Sequence, residues 1–307
     1  MEKLKYWLAA ARLRTLPLSV SGIIVGSSLS GFINQQFNQV LAIQTNDYYI
    51  FFGALLTTIV FQILSNFAND YGDGVKGTDA FRKGEARMVS SGKISSKQMK
   101  SATILFALIG LFLTINLVLY AFNGYNLGYV FLFLGLGVGS IIAAIKYTIG
   151  NNAYGYSGFG DIFVFVFFGL LSVCGSYFLY TKTLNFYIFL PALSIGMLSV
   201  AVLNLNNMRD IENDKNNNKI TLAVKKGYDW AKQYHFVLVI TPLISSCIYV
   251  FFNFESLTQF VFVMAFIPLF FHLKKITFNK NPQLLDGELK KVALSTFLYA
   301  ILFSIFN

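Results

Sequence analysis

The sequence predicts an all-α integral membrane protein in which nine transmembrane helices form one bundle. Apolar residues make up 55% of the 307 residues and charged residues only 12%, about half the charged fraction of a typical soluble domain. The apolar residues also occur in runs long enough for a helix to cross the hydrocarbon core of a bilayer, which takes about 20 residues. A helical bundle suits this composition because each helix satisfies its own backbone hydrogen bonds without water.

Nine apolar runs divide the chain and justify the helix count. They are predicted at about 15–33, 48–69, 101–122, 126–145, 161–181, 186–207, 233–252, 257–273 and 288–306. The sequence shows no regular alternation of apolar and polar residues of the kind that predicts β-strands. Cys174 and Cys247 fall within the fifth and seventh runs, so we expect packing residues rather than a disulfide framework. Residues 1–307 are therefore expected to form a single intramembrane domain.

The basic residues predict the orientation of the bundle. With nine spans, all of the 24 Lys and Arg except Lys182 lie on one side of the membrane. Cytoplasmic loops are the ones enriched in Lys and Arg, so we expect the N-terminus in the cytoplasm and the C-terminus outside. Two longer basic loops, at about 70–100 and 208–232, are then cytoplasmic caps. The net charge of +10 is mostly a signal of this topology, with some attraction to anionic membrane lipid, and is a poor indication of nucleic-acid binding.

Acidic residues are concentrated at the ends of the second and sixth predicted helices. The two groups are Asp70, Asp73 and Asp79 in NDYGDGVKGTD, and Asp210, Glu212 and Asp214 in RDIEND. Because steps of three and four residues share a helical face, Asn69 and Asp73 lie on one stripe and Asp210 and Asp214 on another. One acidic group alone is commonly a solvated turn. Two groups at equivalent helix ends, in a chain otherwise poor in acids, favour a binding site.

The residue types in these groups indicate which ligand they would bind. Gathered carboxylates repel one another unless a cation lies between them. Oxygen ligands without His or Cys are typical of Mg²⁺, which commonly bridges protein carboxylates to substrate phosphates. Arg87 and Arg209 lie close in sequence to the two groups, and Arg is the residue best suited to bidentate phosphate contacts. The pattern therefore predicts a magnesium–diphosphate site.

These two motifs resemble those of the UbiA superfamily of intramembrane prenyltransferases. Three further stretches carry the resemblance, namely AARLRTLPLS (10–19), SSGKIS (90–95) and KYTIGNNAYGYSGFGDIFVFVFFG (146–169). They are most similar to the branch that prenylates 1,4-dihydroxy-2-naphthoate in menaquinone biosynthesis. The resemblance implies Mg²⁺-dependent transfer of a polyprenyl group from polyprenyl diphosphate to that acceptor, with decarboxylation to demethylmenaquinol. It also implies a multi-pass protein of the inner (plasma) membrane whose active site faces the cytoplasm.

The resemblance also implies roles for individual residues. The catalytic residues would be Asn69, Asp73, Asp210 and Asp214, and these together with Asp70 would hold the metal. The diphosphate would be bound by Arg87, Arg209, Lys219 and Asp79. The acceptor would be bound by Lys146, Tyr147, Tyr154, Tyr156 and Arg14. Asn152 stands where the branch usually has a basic residue, which leaves open whether Lys146 or Arg14 meets the acceptor carboxylate.

Three alternatives compete with this function. A sister prenyltransferase would use another acceptor, such as 4-hydroxybenzoate, haem or a chlorophyllide. An ion-coupled transporter would carry its acids near the bilayer midplane rather than at helix ends, and a phosphatidyl-alcohol transferase would carry its aspartates in one continuous run. Among the remaining polar residues, His235 and His272 are expected at the membrane interface. Asp161 either favours the positive end of the fifth helix or belongs to the site.

Overall fold

The computed structural model describes residues 2–31, 45–78 and 86–307. Within those residues, nine helices are long and apolar enough to cross a membrane, which agrees with the nine predicted runs. We number them α1 Glu2–Leu29, α2 Thr45–Lys76, α3 Ser96–Ala121, α4 Leu127–Lys146, α5 Gly160–Thr181, α6 Phe186–Arg209, α7 Tyr228–Phe252, α8 Leu257–Phe278 and α9 Pro282–Phe306. Two short helices, Ile211–Asn216 and Leu222–Lys226, follow α6.

The helices differ from the apolar runs mainly at their polar ends. α2 continues past the predicted end at residue 69 to Lys76, so most of the first acidic motif is helical rather than a loop. The helix stops at Gly77, whose φ of 75° is the left-handed conformation that commonly terminates helices. The predicted cap at 70–100 is shortened from the other end as well, because Ser95 and Gln98 form a capping box that starts α3 at Ser96.

α1 begins well before the predicted start at residue 15, and it is interrupted. A first helix, Glu2–Ala11, ends at Arg12, which has left-handed φ and ψ angles of 49° and 57°. A short turn, Leu13–Thr15, leads into the second part, Leu16–Leu29. Pro17 in the first turn of this second part is compatible with a helix start, where its missing N–H would be unpaired in any case.

α6 packs against helices from several parts of the chain. This helix packs against α5, α7 and α9, while α1 packs against α2, α5 and α9. α5 and α6 approach each other closely at Gly169 and Gly196, where a Cβ at Gly169 would lie 2.7 Å from the Gly196 Cα. Small residues allow helix backbones to approach in this way. α5 contains a π-helical segment, Phe165–Gly175, an irregularity that often occurs near functional sites.

Candidate active site

The structure brings the two acidic motifs together. Asn213 and Asn217, which follow Asp210, both donate through their side-chain amides to the carbonyl oxygen of Thr78, at 3.1 and 3.3 Å. Thr78 follows the last turn of α2. These contacts join a residue just after the end of α2 to the short helix that follows α6, and so bring the two motifs side by side.

Asp73 faces the loop between α4 and α5. The hydroxyl of Tyr156 donates to Asp73 Oδ1 at 2.8 Å and lies 2.7 Å from the hydroxyl of Thr78. The ammonium of Lys76 lies 4.0 Å from the centre of the Tyr156 ring, and that of Lys219 lies 5.7 Å from the same centre. Tyr156 therefore lies where the first motif, the second motif and two cations meet.

Asn69 and Asp70 are adjacent in sequence but face different surroundings. Asn69 Oδ1 accepts a hydrogen bond of 3.3 Å from the hydroxyl of Thr148, and Asn69 also lines the main cavity. The two carboxylate oxygens of Asp70 instead accept backbone N–H bonds from Met88 and Val89, at 3.0 and 2.9 Å. Asp70 thus anchors the segment that follows α2. Arg87, the residue before Met88, is buried at this anchor.

The acids of the second motif lie beside cations of the same chain. Arg209 donates from Nε and Nη2 to both oxygens of Asp210, each at 2.8 Å, and from Nη1 to Asp286 at 2.6 Å. Lys219 Nζ lies 3.5 Å from Asp214 Oδ1. Asp210 and Asp214 are both buried, and a buried carboxylate requires such a partner.

A cavity of about 360 Å³ leads from these helix ends into the bundle. Its walls are mostly apolar side chains of α1 to α6, and Asn66, Asn69 and Asn206 make one part of the lining polar. Arg12 is the one charged side chain among the described residues that line it. Such a cavity suits a ligand with a long apolar part and a polar end.

Arg12 was missed by the sequence analysis, which named Arg14 and Lys146 as the cations for the acceptor. Both of those side chains are exposed and do not belong to the described lining of the cavity. Two residues of α2 hold the turn that presents Arg12. Asn66 donates to the carbonyl oxygen of Ala11 at 2.9 Å, and Gln62 donates to the hydroxyl of Thr15 at 3.0 Å. A left-handed non-glycine residue costs about 1 kcal/mol or more, and such strain is concentrated at functional sites.

Tyr147 and Tyr154 line the cavity, whereas Tyr156 lines a separate polar cleft with Lys76 and Asn217. The Tyr147 and Tyr154 rings meet edge to face with centres 5.3 Å apart, and the Tyr154 hydroxyl donates to the carbonyl oxygen of Ala143 at 2.8 Å. Burial raises the pKa of Tyr147 to about 12 and also raises the pKa of Tyr154. Both hydroxyls therefore stay protonated near neutral pH and offer aromatic walls and donors rather than bases.

The donor set fits a magnesium ion that is shared with a substrate. In residues 2–31, 45–78 and 86–307, no three His, Cys, Asp or Glu side chains lie close enough to hold a metal ion by themselves. Mg²⁺ does not require such a cage, because it usually takes one or two carboxylates and completes its shell with water and substrate phosphates. Asn69, Asp73 and Asp214 offer oxygen donors of this kind. Asp79, named for the diphosphate, lies outside the described residues.

His235 and His272, expected at the membrane interface, form a pair inside the bundle. Both are fully buried, and their Nε2 atoms lie 2.8 Å apart. His272 Nδ1 is also hydrogen-bonded to Glu288 at 2.7 Å. Two isolated histidines near helix ends carry no local sign of this pairing, so sequence reasoning had no signal for it. Asp161 lies buried in the first turn of α5, where the helix dipole favours an acid.

Comparison with known proteins identifies the family. The model of the UbiA prenyltransferase family matches residues 40–299, and the chain belongs to that family. It is therefore a multi-pass membrane prenyltransferase, as the resemblance of its motifs implied.

Two curated relatives match over nearly their whole length. The chain is 40% identical to the 1,4-dihydroxy-2-naphthoate octaprenyltransferase of Haemophilus influenzae, covering 99% of this chain and 96% of that protein. It is 38% identical to the Escherichia coli protein of the same name, with 99% and 95% covered. A solved UbiA homologue from Archaeoglobus fulgidus, bound to DMAPP and Mg²⁺, has the same fold, with a TM-score of 0.62, 15% identity and coverage of 97% and 99%.

Proposed function

We propose that the protein transfers a polyprenyl group from polyprenyl diphosphate to 1,4-dihydroxy-2-naphthoate, with Mg²⁺ and with loss of CO2, giving demethylmenaquinol. The observation that carries this proposal is the meeting of the two acidic motifs beside a mainly apolar cavity that contains Arg12. The names of the relatives that match nearly the whole chain support the choice of acceptor.

The diphosphate of the donor is expected at the joined ends of α2 and α6. Asn69, Asp73, Asp210 and Asp214, with support from Asp70, would hold Mg²⁺, which when bound would neutralise the leaving diphosphate. The chain adds cations of its own, because Lys76 and Lys219 both approach the ring of Tyr156 beside Asp73. Such preorganised charges stabilise the oxygen that departs when the allylic C–O bond breaks.

The polyprenyl chain is expected to lie in the cavity. The phenylalanines of its lining are on α2, α4 and α5, namely Phe61, Phe133, Phe163, Phe167 and Phe168. An apolar wall excludes water from the carbon that becomes electron-poor when the diphosphate leaves. Water would otherwise compete with the acceptor for that carbon and hydrolyse the donor.

The acceptor carboxylate is expected at Arg12, whose guanidinium can bind a carboxylate through two parallel hydrogen bonds. The naphthalene ring would then lie against Tyr147 and Tyr154, which share the cavity with Arg12. Once the allylic C–O bond has broken, the ring carbon that bears the carboxyl group attacks the electron-poor allylic carbon and a C–C bond forms. The carboxyl group then leaves as CO2, and the electron pair of its bond restores the aromatic ring. A strong base at that carbon is not required.

The orientation is part of the proposal. We expect a single domain in the inner (plasma) membrane, with the N-terminus and the caps at about 70–100 and 208–232 in the cytoplasm and the C-terminus outside. Lys182, the one basic residue predicted outside, supports this arrangement. It follows α5 at the end remote from Asp161, and its ammonium lies 4.8 and 5.3 Å from the ring centres of Phe122 and Tyr125 near the α3–α4 turn.

An acceptor competition tests the proposed function. Purified protein in lipid nanodiscs would receive Mg²⁺, a polyprenyl diphosphate and equal amounts of 1,4-dihydroxy-2-naphthoate and 4-hydroxybenzoate, the former labelled with ¹⁴C in its carboxyl group. We expect prenylated naphthoquinol and one equivalent of labelled CO2. Preferential prenylation of 4-hydroxybenzoate, or product that keeps its carboxyl group, would contradict the proposed acceptor chemistry.

A further inference from the structure

The first turns of α9 contact the second acidic motif. Asp286 accepts a hydrogen bond of 2.6 Å from Nη1 of Arg209, the residue that holds both oxygens of Asp210. The Arg209 side chain is 1% exposed, whereas the Asp286 side chain is 46% exposed. One buried guanidinium thus lies between a carboxylate of the site and a carboxylate supplied by the last helix.

Asp210 and Asp286 compete for the charge of the same guanidinium. Arg209 holds both oxygens of Asp210 even with Asp286 present, and without Asp286 the whole charge of the guanidinium would act on Asp210, where attraction is strong because little water is present. Asp286 partly offsets the positive charge of Arg209. It accepts a hydrogen bond from Nη1, whereas Nε and Nη2 of the guanidinium donate to Asp210. The three groups together keep a net negative charge, so Asp210 retains attraction for a further cation.

A second connection fixes α9 against α6. Glu288, in the same helical turn as Asp286, is hydrogen-bonded to His272, which contacts His235. His235 Nδ1 lies 3.4 Å from the amide nitrogen of Asn204 on α6. A continuous chain of buried polar side chains therefore runs from α9 to α6, one turn before Arg209. It contributes to the packing of α9, through α8 and α7, onto α6.

We propose that Asp286 is a positioning residue for the reaction. It holds Arg209 oriented and partly neutralised, so that Asp210 stays available to Mg²⁺ and diphosphate. This inference rests on the proposed function, because it assumes that Asp210 binds the metal–diphosphate complex. Asp286 itself touches neither ligand.

The test uses the full-length protein in nanodiscs and the variant Asp286→Asn. Binding of inorganic pyrophosphate would be measured by calorimetry over a range of Mg²⁺ concentrations, without acceptor or turnover. We expect the Mg²⁺ concentration for half-maximal binding to rise about tenfold, since a hydrogen bond between charged groups is lost. Asp286→Glu should restore most of the affinity. The turnover rate at saturating Mg²⁺ should change little.

Two control variants separate positioning from stability. Asp229→Asn removes an exposed acid on α7 that pairs with Lys232 at 3.6 Å, and it should behave like wild type. Glu288→Gln breaks the buried chain and should lower the unfolding temperature without an equal change in Mg²⁺ dependence. An Asp286→Asn protein with the wild-type Mg²⁺ dependence would overturn the role of Asp286. Failure of the wild type to bind pyrophosphate with Mg²⁺ would instead overturn the proposed function.

Discussion

The ends of α2 and α6 have the same spacing of polar residues but different hydrogen-bond partners. At the end of α2, Asp70 accepts two backbone N–H bonds and Asp73 accepts the hydroxyl of Tyr156. At the end of α6, Asp210 is bound by Arg209, and Asp214 lies within ion-pair distance of Lys219. The acids of the first end thus accept hydrogen bonds from neutral donors, with the ammonium of Lys76 nearby, whereas those of the second end are paired directly with cations.

This difference suggests a division of labour. A neutral donor orients a carboxylate and leaves its negative charge in place, so we expect the end of α2 to attract Mg²⁺ more strongly than the end of α6. A cationic donor offsets much of that charge, so the end of α6 also brings positive groups to a diphosphate. Loss of an acid from the first end should therefore cost more than the equivalent loss from the second.

The largest effect is expected for Asp73→Asn. The amide keeps the size of the side chain and can still accept from Tyr156, but the negative charge is lost. We expect the rate of prenyl transfer to fall about a thousandfold, the upper range for removal of one electrostatic contact in an active site. The rate at saturating Mg²⁺ and substrates measures this. Activity within tenfold of wild type would contradict the role of Asp73.

A smaller effect is expected for Asp214→Asn. This change removes one acid, but it also frees the ammonium of Lys219 to contact the diphosphate, and the two consequences partly cancel. We expect a loss of about a hundredfold in kcat/KM for the donor. Assaying Asp73→Asn and Asp214→Asn side by side compares the loss of activity at the end of α2 with the loss at the end of α6. Equal losses, or a greater loss in Asp214→Asn, would remove the proposed division of labour.

Arg12→Gly separates binding of the acceptor from stability. Glycine relieves the left-handed strain, which is about 1 kcal/mol or more, while the cation in the cavity is lost. We expect the KM for dihydroxynaphthoate to rise more than tenfold, with an unchanged KM for the donor and an equal or higher unfolding temperature. Lys182→Gly is the matched control, because Lys182 has a similar φ of 58° outside the cavity lining. An unchanged acceptor KM in Arg12→Gly would exclude Arg12 from acceptor binding.

The smallest effect is expected for Tyr156→Phe. One hydrogen bond to Asp73 is lost, but the ring beneath Lys76 remains and the charge of Asp73 does not change. We expect about a fivefold loss of rate. A loss as large as that of Asp73→Asn would mean that the hydroxyl of Tyr156 takes part in the chemistry and does more than orient a carboxylate.

The sequence predicted the features that depend on composition and local spacing. Hydropathy predicted nine spans, and the four-residue spacing of Asn69 and Asp73 predicted their shared face. Hydropathy did not predict that α2 extends to Lys76, because polar residues can continue a helix beyond its apolar run. The left-handed turn at Arg12 was also missed, since the hydropathy of its neighbours gives no sign of a helix break.

The sequence did not predict contacts between distant parts of the chain. Asp286 meets Arg209 only because α9 packs beside α6, and the two residues lie 77 positions apart in the sequence. The buried pair of His235 and His272 depends in the same way on the packing of α7 against α8. Such pairs are determined by the tertiary fold, and no local pattern in the sequence predicts them.

The central claim is that both acidic motifs bind one magnesium–diphosphate complex, and a double-mutant cycle tests it most directly. Binding of pyrophosphate with Mg²⁺ would be measured for wild type, Asp73→Asn, Asp214→Asn and the double variant. If the two motifs share one ligand, the losses should be strongly non-additive, and the double variant should bind little more weakly than the weaker single variant. Losses that simply add would contradict the claim, because they would mean that the two helix ends act independently.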